Sequence, residues 1–247
     1  MRKLYGLIGY PLTHSFSKKY FTAKFQKEGL TDHQYELFAI KSINKLSKTI
    51  QEHSNLKGLN VTIPYKEVVI PFLDKLDESA KIVGAVNVIS IEDGRLTGYN
   101  SDFYGFKQSL LKWLPLDYKE IEALVLGTGG ASKAVIAVLN SLNIQFKLVS
   151  RTKSDNAISY EDLNSSSVIT DSKLIINTTP LGMAPNIEAS PDIPYHQISK
   201  SHYIYDLIYN PEETIFLKKC AAQDAKTKNG LEMLELQAEK SWEIWTS

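Results

Sequence analysis

The sequence predicts an α/β protein built as two units, each a sheet with helices on it. Three observations carry this. Short apolar runs alternate with amphipathic segments along most of the 247 residues. The strands of the second half, such as Ala123–Leu126, are apolar throughout, as in a parallel sheet covered on both faces. One of them leads straight into the glycine-rich turn Gly127-Thr128-Gly129-Gly130.

The elements follow in order. Leu4–Ile8 is a short apolar strand that stops at Gly9-Tyr10-Pro11. Residues 17–27 place Tyr20, Phe21, Ala23 and Phe25 among lysines and read as an amphipathic helix. A strand is expected at Gln34–Ala39, a helix at Ile43–Ile50 and a strand from Leu59 to Ile63, ended by Pro64. Val86–Ile91 is the next strand, turned at Glu92-Asp93-Gly94. Phe103, Phe106, Leu110 and Trp113 recur at spacings of three and four, which predicts a helix over Asp102–Leu114. The second unit starts with the strand Ala123–Leu126, a helix over Ala131–Leu142 and a strand at Phe146–Val149. Further strands fall at Leu174–Ile176 and Tyr203–Leu207, and helices at Glu212–Asp224 and Leu231–Trp245. Lys153–Ser172 is the most polar stretch and reads as surface. The boundary between the units falls near residues 101–120.

Composition excludes several classes. Twenty-eight Lys and Arg balance 28 Asp and Glu, so the excess of cations that nucleic acid or an anionic membrane surface would need is missing. At 43% hydrophobic and 23% charged residues the chain is of globular type. Cys220 is the single cysteine, which excludes an intramolecular disulfide and a cysteine zinc cage. The five histidines show no ligand spacing, so no metal is expected. His14, the one beside a candidate site, reads as a loop residue. No apolar run has the length of a membrane span, and Gly6, Gly9 and Pro11 interrupt the start, so it reads as the first strand of a cytoplasmic protein.

The glycine turn sits where a dinucleotide-binding turn belongs, between a buried strand and a helix. Glycines there make the tight turn and let backbone N–H groups reach a pyrophosphate. The fingerprint is partial, because Ser132 stands at its third position. About 20 residues on, an NAD site would show an acid for the ribose hydroxyls. Here the strand ends in Ser150-Arg151-Thr152-Lys153. Arg151 offers a planar fork of donors to a 2′-phosphate, Lys153 a second charge, and Ser150 and Thr152 their hydroxyls. The reading is NADP.

In the first unit four polar patches lie at expected strand ends and helix starts: Ser15-Phe16-Ser17, residues 60–67 (NVTIPYKE), Gly84-Ala85-Val86-Asn87 and Asn100-Ser101-Asp102. Singly, each has a structural reading: Ser17 or Asp102 as a helix N-cap, Asn60, Thr62 and Asn87 as turn formers, Lys66 as a surface lysine. Together with the glycine loop, Asn177-Thr178-Thr179-Pro180-Leu181-Gly182-Met183 and the segment from Asn229 to Gln237, they resemble the shikimate dehydrogenase family over nearly the whole chain. Two departures are visible. The chain is short around Lys153–Ser172, and Ser150 replaces the usual Asn before the Arg.

The resemblance implies NADP-dependent reduction of 3-dehydroshikimate to shikimate, on the way to chorismate and the aromatic amino acids. It implies a substrate domain of mostly parallel sheet over residues 1–101 plus about 231–247, and a Rossmann-like NADP domain over 102–230. It also implies roles. Ser15 and Ser17 donate to the substrate carboxylate, with Thr62 nearby; Asn60, Asn87 and Gln237 fix ring hydroxyls; Lys66 and Asp102 flank the reacting oxygen. Gly127, Thr128, Gly129, Gly130 and Ala131 cradle the pyrophosphate, and Ser150 to Lys153 (Ser150, Arg151, Thr152, Lys153) hold the adenosine end. Leu207 and Gly230 lie near the nicotinamide, Tyr209 near the substrate, and Glu78 on the cofactor side. The expected state is monomer or homodimer. Rival readings are a dehydrogenase that also takes quinate or NAD, and a silent relative that binds without turnover; intact Lys66 and Asp102 argue against the second.

Overall fold

The computed structural model describes residues 2–12, 15–164 and 166–247; His14 lies outside them. The chain forms two compact units, Met1–Tyr104 with Gln237–Ser247, and Gly105–Leu236.

The first unit contains β1 (Lys3–Gly9), α1 (Phe16–Lys27), β2 (His33–Ala39), α2 (Leu46–Glu52), β3 (Leu56–Val61), α3 (Tyr65–Val68), β4 (Lys75–Leu76), α4 (Glu78–Val83), β5 (Val88–Glu92) and β6 (Arg95–Tyr99). Helix α5 (Ser101–Trp113) starts in it and continues into the second unit. The strand order is β2-β1-β3-β5-β6-β4. Strand β1 pairs in parallel with β2 and β3, while β5 runs antiparallel to β3 and β6. The antiparallel pair exists because Asp93 and Gly94 both take positive φ, 48° and 79°, the geometry of a tight hairpin turn. Period-two alternation sends Leu4 and Ile8 into one core and Tyr5 and Leu7 into another.

The second unit contains β7 (Ala123–Leu126), α6 (Gly130–Ser141), β8 (Phe146–Ser150), β9 (Ile158–Ser159), α7 (Tyr160–Asn164), α8 (Val168–Asp171), β10 (Leu174–Asn177), β11 (Tyr203–Asp206), α9 (Ile215–Ala221) and β12 (Lys226–Lys228). Helix α10 (Leu231–Thr246) begins here and ends in the first unit. The sheet is parallel throughout, in the order β12-β11-β10-β7-β8-β9. After β7 the chain moves outward through β8 and β9, then returns to place β10 on the other side of β7. That reversal opens a crevice at the carboxyl ends of β7 and β10, the usual ligand position in such sheets.

Three expectations change. Lys153–Ser172 is not merely surface: it supplies β9, α7 and α8, and buries Leu163 and Ile169 completely. Its few apolar residues, Ala157, Ile158, Leu163, Val168 and Ile169, are too scattered among polar ones to show a period. Strand β3 starts at Leu56 and stops at Val61, because at Thr62 the chain turns into α3, where the Thr62 carbonyl accepts from Tyr65 N. The helix expected over Glu212–Asp224 is only Ile215–Ala221; Thr214 caps its start, and Asp224 lies beyond its end at φ 61°. Trp242 and Trp245 pack in the core around Tyr5 and Phe25, and Trp245 Nε1 donates to the Ile89 carbonyl at 3.0 Å.

Candidate functional site

On the first unit, Lys66 and Asp102 meet. Pro64 starts α3 at the end of β3, and Lys66 is in its single turn. Asp102 is in the first turn of α5, after β6. Lys66 Nζ donates to Asp102 Oδ2 at 2.6 Å, with both side chains partly open to solvent. Asp102 is not the cap of its helix: Asn100 Oδ1 accepts from Phe103 N at 3.0 Å, which leaves the Asp102 carboxylate for the lysine.

Behind this pair lies a buried polar network. Tyr35 Oη donates to Asn60 Oδ1 at 2.7 Å, and Asn60 Nδ2 donates to Ser241 Oγ at 3.1 Å. Asn87 Oδ1 accepts from Ser101 N at 2.7 Å, and Asn87 Nδ2 donates to Ser101 Oγ at 3.0 Å. Ser101 Oγ in turn lies 3.3 Å from Gln237 Oε1 and 3.2 Å from Ser241 Oγ. Ser17 hydrogen-bonds Tyr35, whose phenol is pushed far above its ordinary range by complete burial. Strands β2 and β3, the residue just before β5, and helices α1, α5 and α10 thus each give one or more residues to a single cluster. Ser15, not Ser17, is the N-cap of α1: its Oγ accepts from Lys18 N at 3.2 Å, a bond that does not use its O–H proton. Thr62 is partly exposed just beyond β3.

The second unit carries a cleft of about 530 Å³ lined by Gly127, Thr128, Gly129, Ser150, Arg151, Tyr160 and Thr178–Leu181. Gly127 turns at φ 102°, and a Cβ there would come within 2.9 Å of Thr178 Oγ1 and Thr179 Cγ2. A Cβ at Gly129 or Gly130 would meet nothing within 4 Å, so this backbone is open to a ligand. The amides of Gly129, Gly130 and Ala131 meet no protein acceptor among the described residues, and α6 starts there without a side-chain cap. A bare helix N-terminus with free N–H groups is an anion site. Arg151 is exposed at the far wall and makes no ion pair among the described residues. A dinucleotide with a 2′-phosphate fits these features.

Comparison with known proteins decides the family. A family model described as the shikimate dehydrogenase substrate binding domain matches residues 7–89. The shikimate dehydrogenase (NADP(+)) of Methanosphaera stadtmanae is 39% identical over 98% of this chain and 90% of that protein. The chain belongs to the shikimate dehydrogenase family. Among solved structures of the family, the Aquifex aeolicus enzyme superposes with a TM-score of 0.86 at 36% identity, over 99% of this chain and 92% of that one. The Thermus thermophilus enzyme, crystallised with NADP(H) and shikimate, gives 0.84 at 28% identity, over 99% and 93%.

Gly230 and Leu207 touch: a Cβ on Gly230 would lie 2.1 Å from the Leu207 carbonyl oxygen. Tyr209 belongs to the second unit, is 39% exposed, and has its pKa raised by partial burial. Thr152 is exposed, and its carbonyl accepts from the Ser150 hydroxyl. Lys153 is not in the cleft; Asp162 holds its ammonium at 3.3 Å, and it borders a different hollow on the unit's surface. Glu78 does not line the cleft either. It is an exposed residue of α4 in the first unit, ion-paired to Lys81 at 2.6 Å.

Sequence reading missed Tyr35, Ser241 and Tyr160. Tyr35 was legible only as an inward strand residue. Ser241 sits four residues after Gln237, one helical turn on, and that spacing was a usable sign. Tyr160 lay in the stretch read as surface; its ring lines the cleft and its hydroxyl is buried with no partner among the described residues. Among those residues no group of His, Cys, Asp or Glu could hold a metal, and no helix is long and apolar enough to cross a membrane. Cys220 is buried on α9, its thiol pushed up to about 12 chiefly by desolvation.

Proposed function

We infer that this chain is an NADP-dependent shikimate dehydrogenase, which reduces the ketone of 3-dehydroshikimate to the hydroxyl of shikimate and runs the reverse reaction. The Lys66–Asp102 pair carries this reading, because ketone reduction needs a positioned proton donor and the same chain carries a dinucleotide cleft.

The chemistry that bound NADPH supplies is a hydride to the carbonyl carbon. The chain's own residues do the rest. Ser15 and Ser17, at the N-terminal turn of α1, donate hydroxyl protons to the substrate carboxylate, and the positive end of the helix favours its charge. Thr62 lies beside them. Asn60, Asn87 and Gln237 present amide groups to the ring hydroxyls from a network that fixes their orientation. Lys66 gives its proton to the carbonyl oxygen as the alcohol forms and becomes a neutral amine, and Asp102 holds the ammonium in place until that transfer.

The cofactor is held by the free amides of Gly129, Gly130 and Ala131 on its pyrophosphate, by Arg151 on its 2′-phosphate with Ser150 and Thr152 beside it, and by Leu207 and Gly230 against the nicotinamide. Lys153 is dropped from this set because Asp162 occupies it.

The test follows the near-ultraviolet absorbance of NADPH with and without 3-dehydroshikimate. Oxidation that requires both the ketone and the 2′-phosphate supports the reading. Cofactor and substrate binding without turnover would overturn it in favour of a silent relative.

A further inference from the structure

Asp206 is wholly buried at the carboxyl end of β11. Its oxygens receive three donors. Oδ1 accepts from Asn177 Nδ2 at 3.0 Å and from Ile208 N at 3.1 Å; Oδ2 accepts from Thr214 Oγ1 at 2.6 Å. Asn177 and Thr214 are as buried as Asp206 itself. The bonds extend outward from Asn177, whose Oδ1 accepts from Thr179 N at 3.0 Å and from Thr179 Oγ1 at 2.7 Å. Thr179 Oγ1 then accepts from Leu181 N at 3.3 Å. Thr178–Leu181 is one wall of the cofactor cleft, and Gly127 packs directly on Thr178 and Thr179. On its other side Asp206 fixes the start of the loop that carries Leu207 and Tyr209.

We propose that Asp206 is a positioning residue for the cofactor: its carboxylate clamps the loop after β10 to the loop after β11 and so sets the shape of the NADP cleft. The proposal rests on the reading of that cleft as the NADP site.

The clamp needs an ionised carboxylate. Three donors converge on it, and protonation would add an O–H that needs an acceptor, which among these partners only the Thr214 hydroxyl could supply by turning round. A protonated Asp206 must surrender or reverse one of these bonds. Burial raises its pKa to about 6, against the pull of Thr214, Ile208 and Asn177 on the charged form. The other titratable groups that face it are Cys220 on α9 and Tyr195 in the turn before β11, and burial pushes both upward, away from this range. Lys219 acts on Cys220 and lies over the Tyr195 ring. Of the carboxyl, the thiol and the phenol, Asp206 alone has its pKa near 6.

The test is equilibrium binding of NADPH, read by its fluorescence, and of shikimate, read by calorimetry, across pH 5 to 8. Wild type must first bind NADPH at pH 8; failure there removes the cleft reading and not the clamp. Asp206→Asn is expected to weaken NADPH at pH 8 about tenfold, with shikimate affinity within about twofold. The 2′-phosphate of the cofactor titrates in the same window, so the quantity read is the difference between wild type and variant. Wild type should lose affinity below pH 6 more steeply than Asp206→Asn. Thr214→Val keeps the carboxylate but removes a donor that holds its pKa down, so the midpoint of that difference should move to higher pH. If Asp206→Asn does not fold, the Thr214→Val and wild-type binding profiles are compared directly, since the 2′-phosphate titrates identically in both, and the variant's loss of affinity should begin at higher pH. Wild-type NADPH affinity and pH dependence in Asp206→Asn, or an unmoved midpoint in Thr214→Val, would overturn the clamp.

Discussion

Lys66 and Asp102 stand 36 residues apart in sequence and 2.6 Å apart in space, each in the first turn of its own helix. Neither helix alone makes the pair. The return of β6 beside β5 in the first sheet brings the start of α5 to the end of β3, and with it a carboxylate to an ammonium.

If Lys66 is the proton donor, Lys66→Ala should lower kcat by about 10²–10⁴-fold with a smaller change in KM for shikimate. Asp102→Asn keeps the shape, removes the charge and should also lower kcat. Because the two act as a unit, the double variant should lose much less than the product of the single losses. Steady-state kinetics on the four proteins decides it; near wild-type turnover in Lys66→Ala would move the proton donor elsewhere.

The two cations after β8 should behave differently. Arg151→Ala should raise KM for NADP by about ten- to a hundredfold, the loss of a charged hydrogen-bonding partner worth about 1.5–3 kcal/mol, and leave NAD kinetics unchanged. Lys153 is held by Asp162, so Lys153→Ala should change KM for NADP by less than about threefold. Equal losses in both variants would contradict this placement.

Glycine substitutions separate folding from binding. Gly129 has φ −81° and open space where a Cβ would go, so Gly129→Ala should leave stability within about 0.5 kcal/mol and weaken NADP by about tenfold. Gly230→Ala drives a methyl to within 2.1 Å of the Leu207 carbonyl and should cost about 1–3 kcal/mol in urea unfolding. Reversed behaviour in these two variants would refute the account.

Tyr35→Phe removes one buried hydroxyl and strips Asn60 Oδ1 of its donor. An unsatisfied buried acceptor costs about 1–3 kcal/mol. Urea unfolding should show that loss, and KM for shikimate should rise while KM for NADP stays. A variant as stable as wild type would mean that Asn60 finds its orientation from Ser241 and the Asn87 carbonyl.

Asp206 also predicts a pH dependence of stability. Its folded pKa of about 6 lies above its ordinary 3.8, so the folded state binds the proton more tightly. Its contribution is therefore most favourable below about pH 4 and is lost as pH rises to about 6, by about 3 kcal/mol. Asp77, Glu232 and Glu239, whose pKa values are lowered by hydrogen bonds and ion pairs, act in the opposite sense and lose stability as pH falls. The Asp206→Asn variant should gain on wild type steadily between pH 4 and 6 and then hold a constant difference. A difference that does not vary with pH would place the titration outside this window.

The sequence by itself determined the two-unit α/β plan, the parallel character of the second sheet, the glycine turn and the basic end of β8. Each of these is local. Apolar runs bounded by glycine and proline state their own period, and a glycine-rich turn after a buried strand needs no distant partner. Through the family resemblance it also named Lys66 and Asp102 as a pair at the reacting oxygen. What only the tertiary structure decided is which polar groups meet. Ser15 rather than Ser17 caps α1, Asn100 rather than Asp102 caps α5, Lys153 is held by Asp162, and Tyr35, Ser241 and Asp206 enter networks that their neighbours in sequence do not announce. The physical reason is the short range of a hydrogen bond. It requires donor and acceptor within about 3 Å, and residues as far apart as Asn60 and Ser241 reach that distance only through the packing of whole elements.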